Sequence, residues 1–196
     1  RLSEYARLAS NVLNRGYVLT IDFGYPESQL YSPERGQGTL RCYYRHSISM
    51  NPFENVGDQD ISSHIDLTAL DRTMAKCGFY LLGMTSQQAF LHRLGFREFS
   101  KKLRRKIRTQ NEVDANRMAM HELVKPEGLG GFSVVVHGRD VSCSKLTGLD
   151  PNSDGKMARG LSLPVLENGE EGRISLVDGR FPFKSLPRKD GWAYPE

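Results

Sequence analysis

The feature that most constrains the fold of this chain is an order of segments that occurs twice: a helix, a glycine and a short apolar strand. Apolar residues recur at helical spacing over the first 13 positions, Gly16 ends that pattern, and the strand-forming run YVLTIDFG follows. Asp66 is placed to cap a second helix, LTALDRTMAKC, which Gly78 ends before the run FYLLGMTS. This order predicts an α/β fold whose strands are buried in a parallel sheet.

Between and after these two units lie a long excursion and a helical segment. Residues 25–65 are rich in turn-forming residues, which predicts a long loop insertion of the kind that serves as a lid or a binding loop. Residues 87–124 predict helices, with a break at Gly95. Thr109 and Glu112 are spaced for a capping box at the start of the last of these helices.

The third strand and the tail complete the predicted domain organisation. GFSVVVHGRD is typical of a strand, and the residues after it are rich in loop formers, with one further strand predicted at RISLVDG. We therefore predict a domain over residues 1–140 and a loop-rich C-terminal extension over residues 141–196.

Composition excludes several classes of protein. The 196-residue chain has no apolar run near the ~18 residues of a membrane span, so we expect no membrane span. The net charge is +4, but KKLRRKIR alone carries six basic residues, and subtracting these leaves −2. One such patch is typical of a solvated helix face, and it disfavours nucleic acid as the partner while leaving that hypothesis open.

The cysteines indicate a reducing compartment. There are three, Cys42, Cys77 and Cys143, with no C-x-x-C pair, which excludes a disulfide scaffold and a zinc ribbon. We therefore expect a cytoplasmic protein.

The short motifs indicate no metal site. DPNSDGKMARGL places Asp150, Asn152 and Asp154 as in the first half of an EF-hand loop, but Leu161 stands where a bidentate glutamate is needed. Asx turns are the favoured interpretation of that segment. His121-Glu122 begins an H-E-x-x-H pattern whose second histidine is missing, and no phosphate-binding loop or serine-nucleophile motif occurs.

One cluster of polar and aromatic residues around the long excursion is a candidate for chemistry. An acid at the carboxyl end of a buried strand lies where open α/β sheets bind ligands, although a turn-forming acid is an equally good interpretation. Polar residues of long loops also often serve only to solvate the loop. The candidates are Asp22, Arg41, Tyr43, His46, Asp60, His64 and Asp66.

Several ordered blocks together resemble a known family. These blocks are GYVLTIDFGY, GTLRCYYRHSISMNPFENVGDQDISSHIDLTAL, GFYLLGMTSQQAFLHRLG and ELVKPEGLGGFSVVVHGRD. In order and spacing they resemble the MidA-like family of S-adenosylmethionine-dependent methyltransferases, over about residues 1–140. The resemblance implies S-adenosylmethionine as the cofactor.

The resemblance also implies a fold. It is the C-terminal part of a class I (Rossmann-like) methyltransferase sheet, in which the strand ending at Asp22 resembles strand 5, FYLLGMTS strand 6 and FSVVVHG strand 7. The family's first four strands carry the cofactor-binding loop and acid, so the cofactor site is expected upstream of residue 1. A fragment of such a sheet leaves apolar surface uncovered, so we also expect an unstable or oligomeric chain.

The eukaryotic branch of the family implies a substrate and a compartment. Its members are described as protein arginine methyltransferases that assist respiratory complex assembly in mitochondria, which would place a eukaryotic chain in the matrix. By this resemblance Asp22, Asp60 and Asp66 would orient a guanidinium and His46 would accept or relay its proton.

The G-T-L-R-x-Y block implies the substrate-binding residues Gly38, Thr39, Arg41 and Tyr43. Tyr43 would stack on a planar cation, whereas pairing of Arg41 with an acid, fixing the loop, is an equally good interpretation. The alternative function is a non-catalytic or truncated remnant of the fold that acts through a protein partner at its exposed sheet edge.

Overall fold

The computed structural model describes residues 1–45, 47–106, 110–142 and 146–161. Its helices are α1 (Leu2–Val12), α2 (Glu27–Leu30), α3 (Leu67–Lys76), α4 (Gln87–Arg93), α5 (Phe96–Lys106) and α6 (Gln110–Val124). Its strands are β1 (Gly16–Asp22), β2 (Gly24–Tyr25), β3 (Arg41–Tyr44), β4 (Ser47–Ser49), β5 (Asp60–Ser62), β6 (Ile65–Asp66), β7 (Tyr80–Ser86) and β8 (Ser133–Arg139). The prediction of an α/β fold is confirmed.

The main sheet has the strand order β1-β8-β7. Strands β1 and β7 run in the same direction, but β8 lies between them and is antiparallel to both. The prediction of a parallel sheet is therefore wrong for these strands, because β8, the last strand of the described residues, inserts antiparallel between the other two. The register aligns Asp22 with Ser133 and Ser133 with Ser86, so three polar residues lie side by side at one end of the sheet.

Helices α1 and α3 cover one face of this sheet. Ala6, Leu70, Met74 and Phe79 form a buried cluster there, and Val18 of β1 packs against it. Burial of these side chains is the main stabilising contribution, because apolar area removed from water contributes about 25 cal/mol per Å².

The opposite face of β1 is not buried. Tyr17, Leu19 and Ile21 alternate with the inward residues and remain 44%, 49% and 44% exposed. The prediction of a fully buried strand is therefore wrong for β1, because within the described ranges its only sheet partner is β8 and nothing fully covers this face. The three side chains, called the β1 stripe below, form an apolar surface beside an unpaired strand edge.

The helical segment breaks where the sequence predicted. Gly95 has φ +101° and separates α4 from α5. The space at position 95 also excludes a side chain. A Cβ there would lie 2.4 Å from the Cβ of Ala158 and 2.6 Å from the carbonyl oxygen of Gly155. The predicted capping box includes Thr109, which lies outside the described residues.

The excursion is more ordered than the sequence predicted. Strands β4, β3 and β5 form a small antiparallel sheet in that order, and we call residues 41–62 the arm. Strands β2 and β6 pair in parallel at its base. The strands are only two to four residues long and lie among prolines and glycines, so no alternation of polar and apolar residues is long enough to reveal them.

The described part of the tail folds back onto α4 and α5. The carboxylates of Asp150 and Asp154 accept hydrogen bonds from the backbone N–H groups of Asn152 and Lys156, each at 3.0 Å. The Asx-turn interpretation of this segment is confirmed. Across the ranges that the structure covers, no group of three or more histidine, cysteine or acidic residues is arranged to hold a metal ion.

The cysteines and the helices were also subjects of the sequence analysis. Cys42 and Cys77 are free thiols, and Cys143 lies outside the described residues, as does the predicted strand RISLVDG. No helix in the described part of the chain has the length and apolar character required to cross a bilayer.

Candidate functional site

Asp22 lies at the carboxyl end of β1, the position that the sequence predicted for a ligand-facing acid. Its Oδ1 accepts a hydrogen bond from the backbone N–H of Phe23 at 2.7 Å. The chain bends at Phe23, and the next residues pair with β6. The carboxylate of Asp22 lies at the end of the sheet from which the excursion begins. The ligand-facing and the turn-forming interpretations of Asp22 both stay predictions.

Five side chains contact one another in sequence beyond Asp22: Phe132, Phe23, His64, Tyr25 and Arg35. The ring of His64 lies 5.8 Å from that of Phe23 and 5.1 Å from that of Tyr25, with an angle of 21° between the His64 and Tyr25 planes. The guanidinium carbon of Arg35 lies 4.1 Å from the centre of the Tyr25 ring. Phe23 also contacts Phe132 at 3.8 Å between ring centroids. We call these five side chains the stacked wall; His64 stacks on Tyr25 and Arg35 lies over Tyr25, whereas the contacts of Phe23 are tilted.

The backbone explains why these rings meet. The N–H of Ile65 donates to the carbonyl oxygen of Phe23 at 2.8 Å, and Gly24 pairs with Ile65 in β6. A Cβ at Gly24 would lie 2.8 Å from the Ile65 carbonyl oxygen and 2.7 Å from a methyl group of Leu67. Glycine at position 24 therefore permits the close approach that places His64 against Phe23 and Tyr25.

A cavity of about 460 Å³ adjoins this wall. It lies between the segment that follows α2 and the turn between β5 and β6. Thr39 links its two sides, because its Oγ1 accepts a hydrogen bond from the backbone N–H of His64 at 3.1 Å. Its lining residues are Leu30, Tyr31, Ser32, Arg35, Gly36, Gly38, Thr39, Ser63 and His64.

The charge around the cavity is predominantly positive. Arg35 is half-buried, and no lining residue is acidic. Glu34 is the neighbouring acid, but it is exposed and is not part of the lining. A hydrogen bond from Ser32 is the main cause that lowers the pKa of Glu34, with bonding at its own backbone and the charge of Arg35 adding to it.

The structure divides the predicted cluster into two groups. Gly38 and Thr39 line the cavity, whereas Arg41, Tyr43 and Asp60 belong to the arm. In the arm, Arg41 is aligned with Ser62 and Tyr43 with Asp60. The Nη1 of Arg41 donates to the carbonyl oxygen of Leu40 at 2.7 Å, and among the described residues no ion pair of Arg41 with an acid is observed.

The last two predicted residues have different outcomes. Asp66 is the N-cap of α3, and its Oδ1 accepts from the backbone N–H of Ala69 at 2.9 Å. This carboxylate therefore has a structural role as a helix cap. His46 lies outside the described residues.

Sequence reasoning missed most of the residues that form the wall. Phe23 and Tyr25 lie just beyond the end of β1, and Arg35 lies in a proline- and glycine-rich stretch, so none of the three belongs to any of the short motifs. One signal was present: aromatic residues at positions 23 and 25 continue the two-residue alternation of β1 beyond Asp22. Tyr25 contacts Arg35, which is 10 residues away in the sequence, and His64, which is 39 residues away. No local sequence pattern encodes such contacts.

The basic run KKLRRKIR is partly engaged by the protein itself. The Nζ of Lys101 bonds to Glu98 at 3.0 Å. The Nζ of Lys102 donates to the carbonyl oxygens of Ala158 and Arg159 at 2.6 and 2.8 Å. It also donates to the carbonyl oxygen of Leu161. Two of the six basic residues of the run thus bond to neighbouring groups of the protein, and the disfavoured nucleic-acid hypothesis stays a prediction.

Comparison with known proteins gives two findings. Residues 1–85 match a family model described as "Putative S-adenosyl-L-methionine-dependent methyltransferase". Two crystal structures from Burkholderia thailandensis, both of one superfamily, are similar over most of this chain. One is of an uncharacterized protein, 29% identical, with a TM-score of 0.63 over 78% of this chain and 38% of its own.

The second structure is described as a "likely methyl transferase" bound to S-adenosyl-homocysteine. It is 30% identical, with a TM-score of 0.61 over 79% of this chain and 38% of its own. The chain has a partial methyltransferase fold. The antiparallel strand between β1 and β7 thus belongs to a Rossmann-like methyltransferase sheet, and the resemblance to MidA-like methyltransferases is supported.

The two similar structures are both longer than this chain. The chain spans 38% of the length of each of the two structures. Among curated proteins, none matched the chain. The findings support S-adenosylmethionine as the cofactor. In the described part of the chain no strand leads into a glycine-rich turn of the kind that holds a dinucleotide or nucleoside, so we assign no described residue to cofactor binding.

Proposed function

We propose that this chain is the C-terminal part of an S-adenosylmethionine-dependent methyltransferase and that it supplies the acceptor side of the active site. The observation that carries the proposal is the β1-β8-β7 sheet with Asp22 and the stacked wall at one end. That end is where α/β sheets bind ligands. The family match over residues 1–85 and the neighbour bound to S-adenosyl-homocysteine support the same activity.

In this proposal the cofactor half lies upstream of residue 1. The free edge of β1 and the β1 stripe support it, because a further strand and helix covering them would remove apolar surface from water. When bound, S-adenosylmethionine supplies an electrophilic methyl group. The residues of this chain then have to bind the acceptor, orient it and exclude water.

The acceptor that we propose is a protein arginine. Tyr43 and Asp60 are directly opposite each other on β3 and β5, so their side chains share one face of the arm. Both are exposed. An aromatic ring beside a carboxylate suits a guanidinium, which stacks on the ring and donates hydrogen bonds to the acid. Assembly of a respiratory complex, in the cytoplasm or the mitochondrial matrix, is the setting that the family resemblance suggests.

Calorimetric titration with S-adenosyl-homocysteine tests the proposal. We expect binding by the extended gene product and no binding by the 196 residues alone. Absence of binding by both proteins would instead favour the alternative, a non-catalytic remnant that acts through a protein partner. Binding by the 196 residues alone would overturn the assignment of the cofactor half to upstream residues.

A methyl-transfer assay on arginine-containing peptides tests the acceptor. In the extended protein, Tyr43→Ala and Asp60→Asn should each lower kcat/KM by about tenfold, the loss of one stacking contact or charged hydrogen bond. Asp58→Asn is the matched control, since Asp58 is an exposed acid in the turn before β5. If Tyr43→Ala and Asp60→Asn both keep the kcat/KM of the Asp58→Asn control, the Tyr43–Asp60 pair does not bind the substrate.

A further inference from the structure

The cavity beside the stacked wall has a chemistry of its own. Arg35 contributes its guanidinium, and Ser32 and Thr39 contribute hydroxyl groups. A guanidinium carries five N–H donors and no acceptor, so a group that fills this space has to present acceptor atoms. The lining contains no carboxylate. The exposed Glu34 lies outside it and interacts with Ser32 and with the charge of Arg35, but among the described residues no ion pair joins Glu34 to Arg35.

Arg35 is held in place while part of it stays available. Its Nη1 donates to the carbonyl oxygen of Gln29 at 2.8 Å and contacts the Oγ of Ser32 at 3.4 Å. The plane stacks on Tyr25. Within the described ranges these bonds use Nη1 alone, which leaves Nε and Nη2 as donors. A guanidinium already ordered by its neighbours loses little conformational entropy when it binds a carboxylate.

The position of the cavity relative to the arm sets a spacing. The register pairs Tyr43 with Asp60 and, two residues along, Arg41 with Ser62. Two residues further, Thr39 and His64 are still joined by a hydrogen bond, and both line the cavity. At about 3.4 Å per residue, the pair on the arm lies roughly 14 Å along the chain from the cavity.

We propose that the cavity binds the carboxylate of an acidic residue in the acceptor protein, about four residues from the arginine held by the arm. The spacing follows because an extended peptide also advances about 3.4 Å per residue. Arg35 pairs with the carboxylate, and the hydroxyl of Thr39, whose oxygen accepts from His64, is free to donate. This inference rests on the proposed function and names the acceptor class of the same site: an acidic arginine-containing segment.

Fluorescence anisotropy with two labelled peptides tests the inference on the extended protein. Both peptides carry one arginine, and they differ only in having aspartate or asparagine four residues away. We expect the aspartate peptide to bind at least fivefold more tightly. Arg35→Gln should reduce that ratio to about one, and Arg35→Lys should retain part of it because the charge remains.

Arg7→Gln is the matched control, because it removes the same charge from an exposed position on α1. It should keep the full ratio. Circular dichroism of each variant establishes that it is folded. An equal affinity of the wild-type protein for the two peptides, or an unchanged ratio in Arg35→Gln, would overturn the inference.

Two further outcomes separate this inference from the proposed function. The inference is wrong if S-adenosyl-homocysteine displaces the aspartate peptide and Arg35→Gln lowers the affinity for S-adenosyl-homocysteine. In that case the cavity binds the cofactor. If both peptides are methylated at the same kcat/KM, the inference fails and the methyltransferase activity stands. If the fivefold ratio holds and no methyl transfer occurs to any arginine peptide, the proposed function fails while the acidic-segment site stands.

Discussion

Asp66 shows how a single side chain fixes the start of an element. Its carboxylate accepts the N–H of Ala69, one of the donors that the first turn of α3 leaves without a helical partner. We expect Asp66→Ala to lower the free energy of unfolding by about 1 kcal/mol, measured by urea denaturation. Asp66→Asn should stay within a few tenths of a kcal/mol of the wild type, because asparagine also caps helices. Equal losses in the two variants would assign the effect to charge instead.

His137 is a buried histidine in the middle strand of the sheet. Its Nε2 lies 3.2 Å from Oδ1 of Asp71, and its Nδ1 has no hydrogen-bond partner within the described part of the chain. Burial lowers the pKa of His137 below its ordinary value, and Asp71 offsets this only in part. The folded protein therefore binds a proton less readily at this site than the unfolded chain does.

This difference predicts a pH dependence of stability. A depressed pKa contributes stability above the unfolded value, about 6.5, and that stability is lost as the pH falls below it. We expect the urea midpoint to drop between about pH 7.5 and about pH 5.5, and His137→Leu to reduce that drop. His121→Asn, at an exposed position of α6, is the control and should keep the wild-type drop. An unchanged drop in His137→Leu would contradict the prediction.

At the scale of elements, the crossing of Gly95 and Gly155 joins the described tail to the helical segment. A Cβ on either residue would lie within 2.7 Å of backbone atoms of the other. Gly95 also has a positive φ, which a side chain disfavours. Lys102 adds its bonds to the carbonyl oxygens at the end of the same tail segment. Two independent contacts thus hold residues 146–161 on α4 and α5.

We expect Gly95→Ala to destabilise the protein by more than about 1 kcal/mol, because both its backbone angle and its space exclude a methyl group. Limited proteolysis should then cleave within residues 146–161 sooner than in the wild type. Gly160→Ala is the matched control, since a Cβ there meets nothing within 4 Å. A Gly95→Ala protein with wild-type stability and cleavage would show that the crossing is not needed.

At the scale of the whole molecule, the β1 stripe leaves apolar side chains of the main sheet exposed. Its side chains lie next to the edge of β1 that has no strand partner among the described residues. An exposed apolar strand edge is a template for pairing with another chain. The 196-residue chain by itself is therefore expected to be unstable or to associate with itself.

Sedimentation velocity tests this expectation on the 196-residue chain. The wild type should sediment as a mixture of oligomers, and Leu19→Gln combined with Ile21→Gln should shift it toward the monomer. Val12→Gln is the control, because Val12 is 83% exposed but lies on α1 and not on the sheet. A monomeric wild type with a cooperative thermal transition would contradict the prediction.

The sequence by itself determined the local elements of this protein. The cap at Asp66, the break at Gly95, the Asx turns near Asp150 and the three long strands depend on residues within a few positions of each other. Local backbone preferences and short-range hydrogen bonds fix such features. The resemblance to the family was also visible in the sequence, because it rests on sequence blocks in a fixed order and spacing.

Only the tertiary structure decided how those elements are arranged. The insertion of β8 between β1 and β7, the arm within residues 25–65 and the stacked wall all join segments that are distant in the chain. Contacts of that kind depend on which apolar faces and strand edges meet, and single-residue preferences do not encode this. For the same reason Arg35, which lines the cavity with Gly38 and Thr39, was not among the candidate residues of the sequence analysis.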